Sequence, residues 1–137
     1  MNYGKEFQKY AMSDHRVSSL EMDQYGKLVT GSMTPYILEE REMRATQLDI
    51  FSRLMMDRII WVSSDVNSKM ASIIQAQLMF LDTTDTQDIN LYLDTPGGSV
   101  LSGLGIRDTM NYVKSDVGTT NVGMCASMGS ILLSSGT

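Results

Sequence analysis

The stretch INLYLDTPGGSV, residues 89–100, decides the fold of this 137-residue chain. Ile89, Leu91 and Leu93 alternate with Asn90, Tyr92 and Asp94, the two-residue period of a strand with one buried face. Thr95-Pro-Gly-Gly-Ser99 breaks that alternation. Val100, Leu104, Met110 and Val113 then suggest a helix. A strand passing through a glycine turn into a helix is half of a parallel βαβ unit.

The same pattern repeats outward. Val117 to Met124 is a β-type run, and a helix with Ile131, Leu132 and Leu133 opens from Ala126. Upstream, Arg58 to Val62 is a compact strand. Asp65 or Asn67 can cap a helix that carries Met70, Ile73, Ile74, Leu78 and Leu81 on its apolar face, and Asp82 to Asp88 is a polar loop. Before these, Thr46 is a suitable N-cap with Asp49 three positions on. Leu48, Phe51, Leu54 and Met55 then share a helical face. After Pro35, YILEEREMRAT is expected to be extended or hairpin-like. Strand-helix pairs repeated three times predict an α/β domain with a parallel sheet.

Residues 1–33 are polar, mixed in charge and without sustained periodicity, so a leader, disordered arm or pro-segment is expected. Residues 34–137 are then the candidate domain. No internal repeat is visible. The chain stops at Thr137, just inside a new apolar helix, so a fragment of a longer protein is expected.

Composition excludes several classes. The net charge is −5, with no run of basic residues, so nothing favours nucleic acid or an anionic membrane as partner. No apolar run approaches a membrane span, and no apolar h-region follows Met1, so no secretory signal is expected. One cysteine forms no internal disulfide and fits a reducing cytoplasm. One histidine and one cysteine make a metal site of these ligands unexpected. The sequence has 12 methionines, several at helical core spacings (Met55, Met56, Met70, Met110), which are expected to serve as apolar filler.

Two elements carry chemistry. Pro96-Gly97-Gly98-Ser99 follows a strand, where glycine lets peptide N–H groups approach an anion closely; taken alone, it is better read as an ordinary tight turn. Gly123-Met-Cys-Ala-Ser-Met-Gly129 surrounds Ser127 with small residues between a strand and a helix. A sharp turn there would expose the Ser127 hydroxyl and present the Met128 N–H to an oxyanion. Taken alone, Ser127 is better read as a helix N-cap. Cys125 stands where the first glycine of a Gly-x-Ser-x-Gly elbow belongs, although Gly129 matches the second. His15 lies in the polar leader and is expected to be solvated. Cys125 is expected to be a buried, inert thiol. Asp94 and Asp108 are expected to serve turns and caps.

Together the two elements resemble the Clp protease proteolytic subunit (ClpP) family. The likeness runs from about Pro35 to Thr137 through PYILEER, FSRLMMDRIIWV, IQAQLMFLD, INLYLDTPGGSV, GLGIRDTM and GMCASMGSILL, in order. The fold it implies is α/β, the crotonase/ClpP-like spiral of ββα units, with this chain truncated before the handle helix. It implies that Ser127 is the nucleophile and that Gly98 and Met128 donate the oxyanion-hole N–H groups. Tyr92 would belong to a pocket that docks the unfoldase, and Tyr36–Arg44 to an axial loop. Residues 1–33 would match a self-cleaved pro-segment.

The resemblance implies a serine endopeptidase of stacked heptameric rings, a tetradecamer, located in the cytoplasm. It would degrade unfolded polypeptides fed by an AAA+ unfoldase such as ClpX or ClpA. ATP would be used by that partner, with no cofactor in this subunit. The family's catalytic His and Asp lie beyond residue 137, so the chain alone is expected to be inactive, since serine needs a base. The alternatives are a non-catalytic scaffold subunit of such a ring, and a crotonase-type enzyme acting on acyl-CoA thioesters.

Overall fold

The computed structural model describes residues 3–14, 18, 36–41 and 44–137. They fall into two compact units, Met1–Asp57 and Arg58–Thr137.

The first unit contains helix α1 (Tyr3–Asp14), strands β1 (Tyr36–Arg41) and β2 (Arg44–Asp49), and helix α2 (Ile50–Met56). The strands form an antiparallel hairpin, with Tyr36 opposite Asp49 and Arg41 opposite Arg44. The expected hairpin is therefore present, and the segment likened to an axial loop contributes its first strand.

Two expectations in this unit are corrected. Thr46 is not a helix cap, because it pairs with Glu39 in the ladder. Asp49 caps instead: its backbone is extended, and its carboxylate accepts the Ser52 N–H at 3.0 Å. Strand pairing thus delays the helix to Ile50. The leader also contains a helix. Phe7 and Ala11, one turn apart, are buried at 4% and 0% exposure, the stripe that the polar composition concealed. The expected boundary between residues 33 and 34, and His15, lie outside the described residues.

The second unit follows the predicted order. It runs β3 (Ile59–Val62), α3 (Ser68–Thr84), β4 (Ile89–Thr95), α4 (Val100–Tyr112), β5 (Val117–Cys125) and α5 (Met128–Leu133). The sheet has the order β3-β4-β5, and both pairings are parallel. Ile89, Leu91 and Leu93 are buried on one face of β4, with Ile60 and Val62 of β3. Ile74, Leu78 and Leu81 of α3, Ile106 of α4 and Leu132 of α5 complete this core. Each such side chain contributes about 1.5–3 kcal/mol on burial, against about 0.5–2 kcal/mol for a helix cap.

Of the two offered caps for α3, Asn67 is the one used. Its amide oxygen accepts the Met70 N–H at 3.0 Å. The helix runs three residues into the expected loop, to Thr84, and Arg58 gathers its end. The guanidinium donates to the carbonyls of Leu81, Asp85, Gln87 and Asp88 and to the Ser115 hydroxyl. Arg58 does so from a left-handed backbone, φ 60°. Among the described residues, no helix is long and apolar enough to cross a membrane.

Candidate active site

The carboxyl ends of parallel strands are where open α/β sheets bind ligands. Here three such ends are tied together. Beyond β3, Val66 forms a parallel bridge with Gly98. The Val66 N–H donates to the Gly97 carbonyl at 2.9 Å, and the Ser99 N–H donates to the Val66 carbonyl at 2.7 Å. Beyond β5, the Ala126 N–H donates to the Thr95 carbonyl at 3.1 Å.

The glycines are required by space as well as by conformation. Gly97 has φ +91°, and a Cβ there would lie 2.6 Å from the Ala126 oxygen and 2.8 Å from both Met128 N and Ser127 Cβ. Gly98 has φ +148°, and its Cβ would overlap the Val66 carbonyl oxygen. The glycine loop after β4 therefore lies directly on the turn that carries Ser127. Two elements separate in sequence are one site in space.

That turn is prepared by a bulge. Leu93 pairs with Asn121, but Thr95 pairs with Cys125, so β5 uses four residues where β4 uses two. Gly123, at φ +101°, sits in the extra loop, and the Asp94 carboxylate accepts the Met124 N–H at 2.9 Å. Such a bulge re-aims the end of a strand. Asp94 thus serves a turn, as expected. Asp108 is exposed on α4.

Ser127 adopts φ 49° and ψ −122°, a conformation that non-glycine residues avoid, at a cost of about 1–3 kcal/mol. Its side chain makes no capping bond. Backbone carbonyls satisfy the first turn of α5 instead: Gly129 N–H donates to Ala126 O at 2.8 Å, and Ser130 N–H to Ser127 O at 3.0 Å. The N-cap reading of Ser127 is thereby removed. Ser127 is exposed, and its hydroxyl has no structural task in the helix start.

The N–H groups of Val66, Gly97, Ser99, Ala126, Gly129 and Ser130 are spent on holding these turns. Among the described residues, the bonds that knit the turns leave out the N–H groups of Gly98, Ser127 and Met128. Met128 is fixed through its side chain, which is buried at 4% exposure. It rests on Gly103 of α4, where an added Cβ would overlap Met128 Cγ and lie 2.6 Å from its Cε.

Cys125 is half-buried, and burial pushes its thiol pKa up, so it is a poor nucleophile at neutral pH. Tyr92 stands apart from the turns. Its ring stacks on Trp61 of β3 with centroids 6.0 Å apart, and both rings are half-buried. Among the described residues, no group of three or more His, Cys, Asp or Glu side chains could hold a metal ion.

Sequence reasoning missed three supports of this site: Thr95, Val66 and Gly103. Thr95 reads in the sequence as the first residue of the turn, whereas it is the last residue of β4. Val66 lacks any motif, and Gly103 looked like one glycine among 11.

Comparison with known proteins places this arrangement in context. The sequence model of the Clp protease family matches residues 40–137. An ATP-dependent Clp protease proteolytic subunit of Bacteroides fragilis is 48% identical over 132 residues, covering 96% of this chain and 60% of the relative. A protein of the same description from Porphyromonas gingivalis is 47% identical over 133 residues, with the same shares. One from Streptococcus salivarius is 53% identical over 106 residues, covering 77% of this chain and 54% of the relative. The chain thus spans about 60% of the length of the first two of these relatives.

Proposed function

The chain belongs to the Clp protease family, and on that premise we propose that it is part of a serine endopeptidase subunit in which Ser127 is the nucleophile. The observation that carries this is the strained backbone of Ser127, φ 49°, on an exposed residue whose hydroxyl caps nothing. Strain of this kind persists where the surroundings over-determine it, and it accumulates at functional sites.

In the proposed reaction, the Ser127 Oγ bonds to the scissile carbonyl carbon as its proton passes to a base. The carbonyl oxygen becomes an oxyanion between the Gly98 and Met128 N–H groups. Loss of one such donor costs about 10²–10³ in rate in a serine peptidase. The C–N bond breaks, the amine leaves with the proton, and water hydrolyses the Ser127 acyl ester. The sequence's only histidine, His15, lies outside the described residues. The proposal assigns the base to the portion of the relatives that this chain does not match.

The relatives' description as proteolytic subunits of an ATP-dependent protease supports the wider reading. We assign ATP use to a partner ATPase of the AAA+ unfoldase type, with no cofactor in this subunit. The substrates are unfolded polypeptides, the working form is a ring oligomer, and Tyr92 with Trp61 contributes to docking of the partner. A cytoplasmic location agrees with the single half-buried thiol of Cys125.

A fluorophosphonate reagent tests the reading. The intact full-length protein should be modified at Ser127, and Ser127→Ala should abolish the label. The 1–137 chain alone should react slower by about 10⁴-fold or more, the scale on which a disabled triad loses rate. A second reading, a non-catalytic scaffold subunit, is motivated by the lack of a histidine anywhere in Arg58–Thr137. An intact protein that takes no label and cleaves no peptide establishes it.

A further inference from the structure

We propose that Thr95 is the positioning residue of the site, holding the proposed oxyanion donors and the nucleophile turn in one register. Three bonds radiate from it to three strand ends. Its hydroxyl donates to the Ser64 carbonyl, beyond β3, at 2.6 Å. The same oxygen accepts the Gly97 N–H, in the glycine loop, at 3.1 Å. Its carbonyl accepts the Ala126 N–H, one residue before Ser127, at 3.1 Å. Its Cγ2 lies under the first turn of α5, so close that a Cβ on Gly129 would come within 2.8 Å.

Only a hydroxyl can do this. One O–H donor and a lone pair on a single atom let Thr95 serve a carbonyl and an N–H together. The residue is fully buried, at 0% exposure, so water does not substitute when the hydroxyl is removed. The Ser64 carbonyl and the Gly97 N–H would then lose their partner in a dry site. Gly97 is bonded covalently to Gly98, so release of its N–H frees the peptide whose neighbour donates to the oxyanion. The Ala126 bond survives substitution because it uses the backbone. The hydroxyl therefore acts on the Gly98 side, and the Thr95 carbonyl on the Ser127 side.

The inference rests on the reading of Ser127 as nucleophile, and its test separates the two. Fluorophosphonate inactivation of the intact full-length protein is followed against reagent concentration for the parent, Thr95→Val and Thr95→Ser. Thr95→Val keeps the shape and removes the hydroxyl. We expect it to lower the saturating inactivation rate by about 10–100-fold, less than loss of a whole oxyanion donor, with little change in the half-saturating concentration. Thr95→Ser restores the hydroxyl and should restore the rate. Asp82→Asn, remote from these turns, supplies a destabilised control that should label at the parent rate.

A parent protein that takes no label overturns the Ser127 reading. A labelled parent with an equally fast Thr95→Val overturns the role of Thr95. So does a Thr95→Ser variant as slow as Thr95→Val, or an Asp82→Asn control slowed to the same extent. If Thr95→Val does not fold, Thr95→Ala against Thr95→Ser decides: slow Ala with fast Ser supports the hydroxyl, and equal rates refute it.

Discussion

Replacing Gly103 with alanine probes how α4 sets the position of Met128. The new methyl would overlap Met128 Cγ and crowd Sδ at 2.8 Å. Two opposed effects follow. Alanine in a helix interior is favoured over glycine by about 1 kcal/mol. Forcing an extra methyl into a packed site costs about 1–3 kcal/mol. Gly103→Ala alone should therefore change stability by about 0–2 kcal/mol, on the destabilising side. Met128→Ala removes a buried side chain and should cost about 2–5 kcal/mol. Combined, the added methyl enters the space that Met128 vacates, and the helix gain is realised without overlap. The double variant should be more stable than the sum of the singles by about 1–3 kcal/mol. Urea unfolding followed by fluorescence gives these differences, because Trp61 is the sole tryptophan and lies in the same unit. Additivity within about 0.5 kcal/mol would show that Gly103 and Met128 do not share the space, and would refute the packing argument.

Ser127→Gly should abolish labelling yet stabilise the protein by about 1–2 kcal/mol, since glycine relieves the left-handed strain at φ 49°; a loss of stability in urea would contradict the strain. Arg58→Ala should cost about 2–4 kcal/mol through loss of its charged hydrogen bonds to the end of α3. Arg58→Gly should cost about 1 kcal/mol less, because φ 60° suits glycine; equal losses would sink that account. Burial alone would raise the Asp82 pKa, but the Ser115 N–H and hydroxyl, the Lys114 N–H and the Lys114 charge outweigh it and hold the carboxyl below its ordinary range. A lowered folded pKa stabilises above the unfolded value and is lost as pH falls through the folded one. The advantage of the parent over Asp82→Asn should thus be full at pH 7 and shrink below about pH 4; a constant difference would show that ionisation is irrelevant.

Local pattern made the second unit legible. Ile89, Leu91 and Leu93 alternate because one face of β4 is buried, and nothing distant overrides them. Asn67 is a readable cap because its partner, Met70, is three residues away. The failures lie where a distant partner decides. Thr46 has the chemistry of a cap, but its pairing with Glu39 across the hairpin keeps it in a strand. In α1, Phe7 and Ala11 are buried one turn apart, and such a pair does not stand out in a polar segment.

The site divides along the same line. Pro96-Gly-Gly-Ser99 and the small residues around Ser127 are visible because tight turns restrict residue type locally. Neither shows that it touches the other. Contact arises because β4 and β5 are parallel neighbours whose carboxyl ends meet, and because the β5 bulge, held by Asp94, brings Ser127 back over Gly97. A cap and a nucleophile look alike in sequence: each is a serine at the start of a helix. What separates them is backbone conformation. A capping serine is extended and spends its side-chain oxygen on the helix, whereas Ser127 is left-handed, and the Ala126 carbonyl and its own carbonyl take over that task. The strain is sustained by the same bonds that leave the hydroxyl exposed. It follows that stability and reactivity at Ser127 oppose each other, and that the glycine variant measures both at one residue.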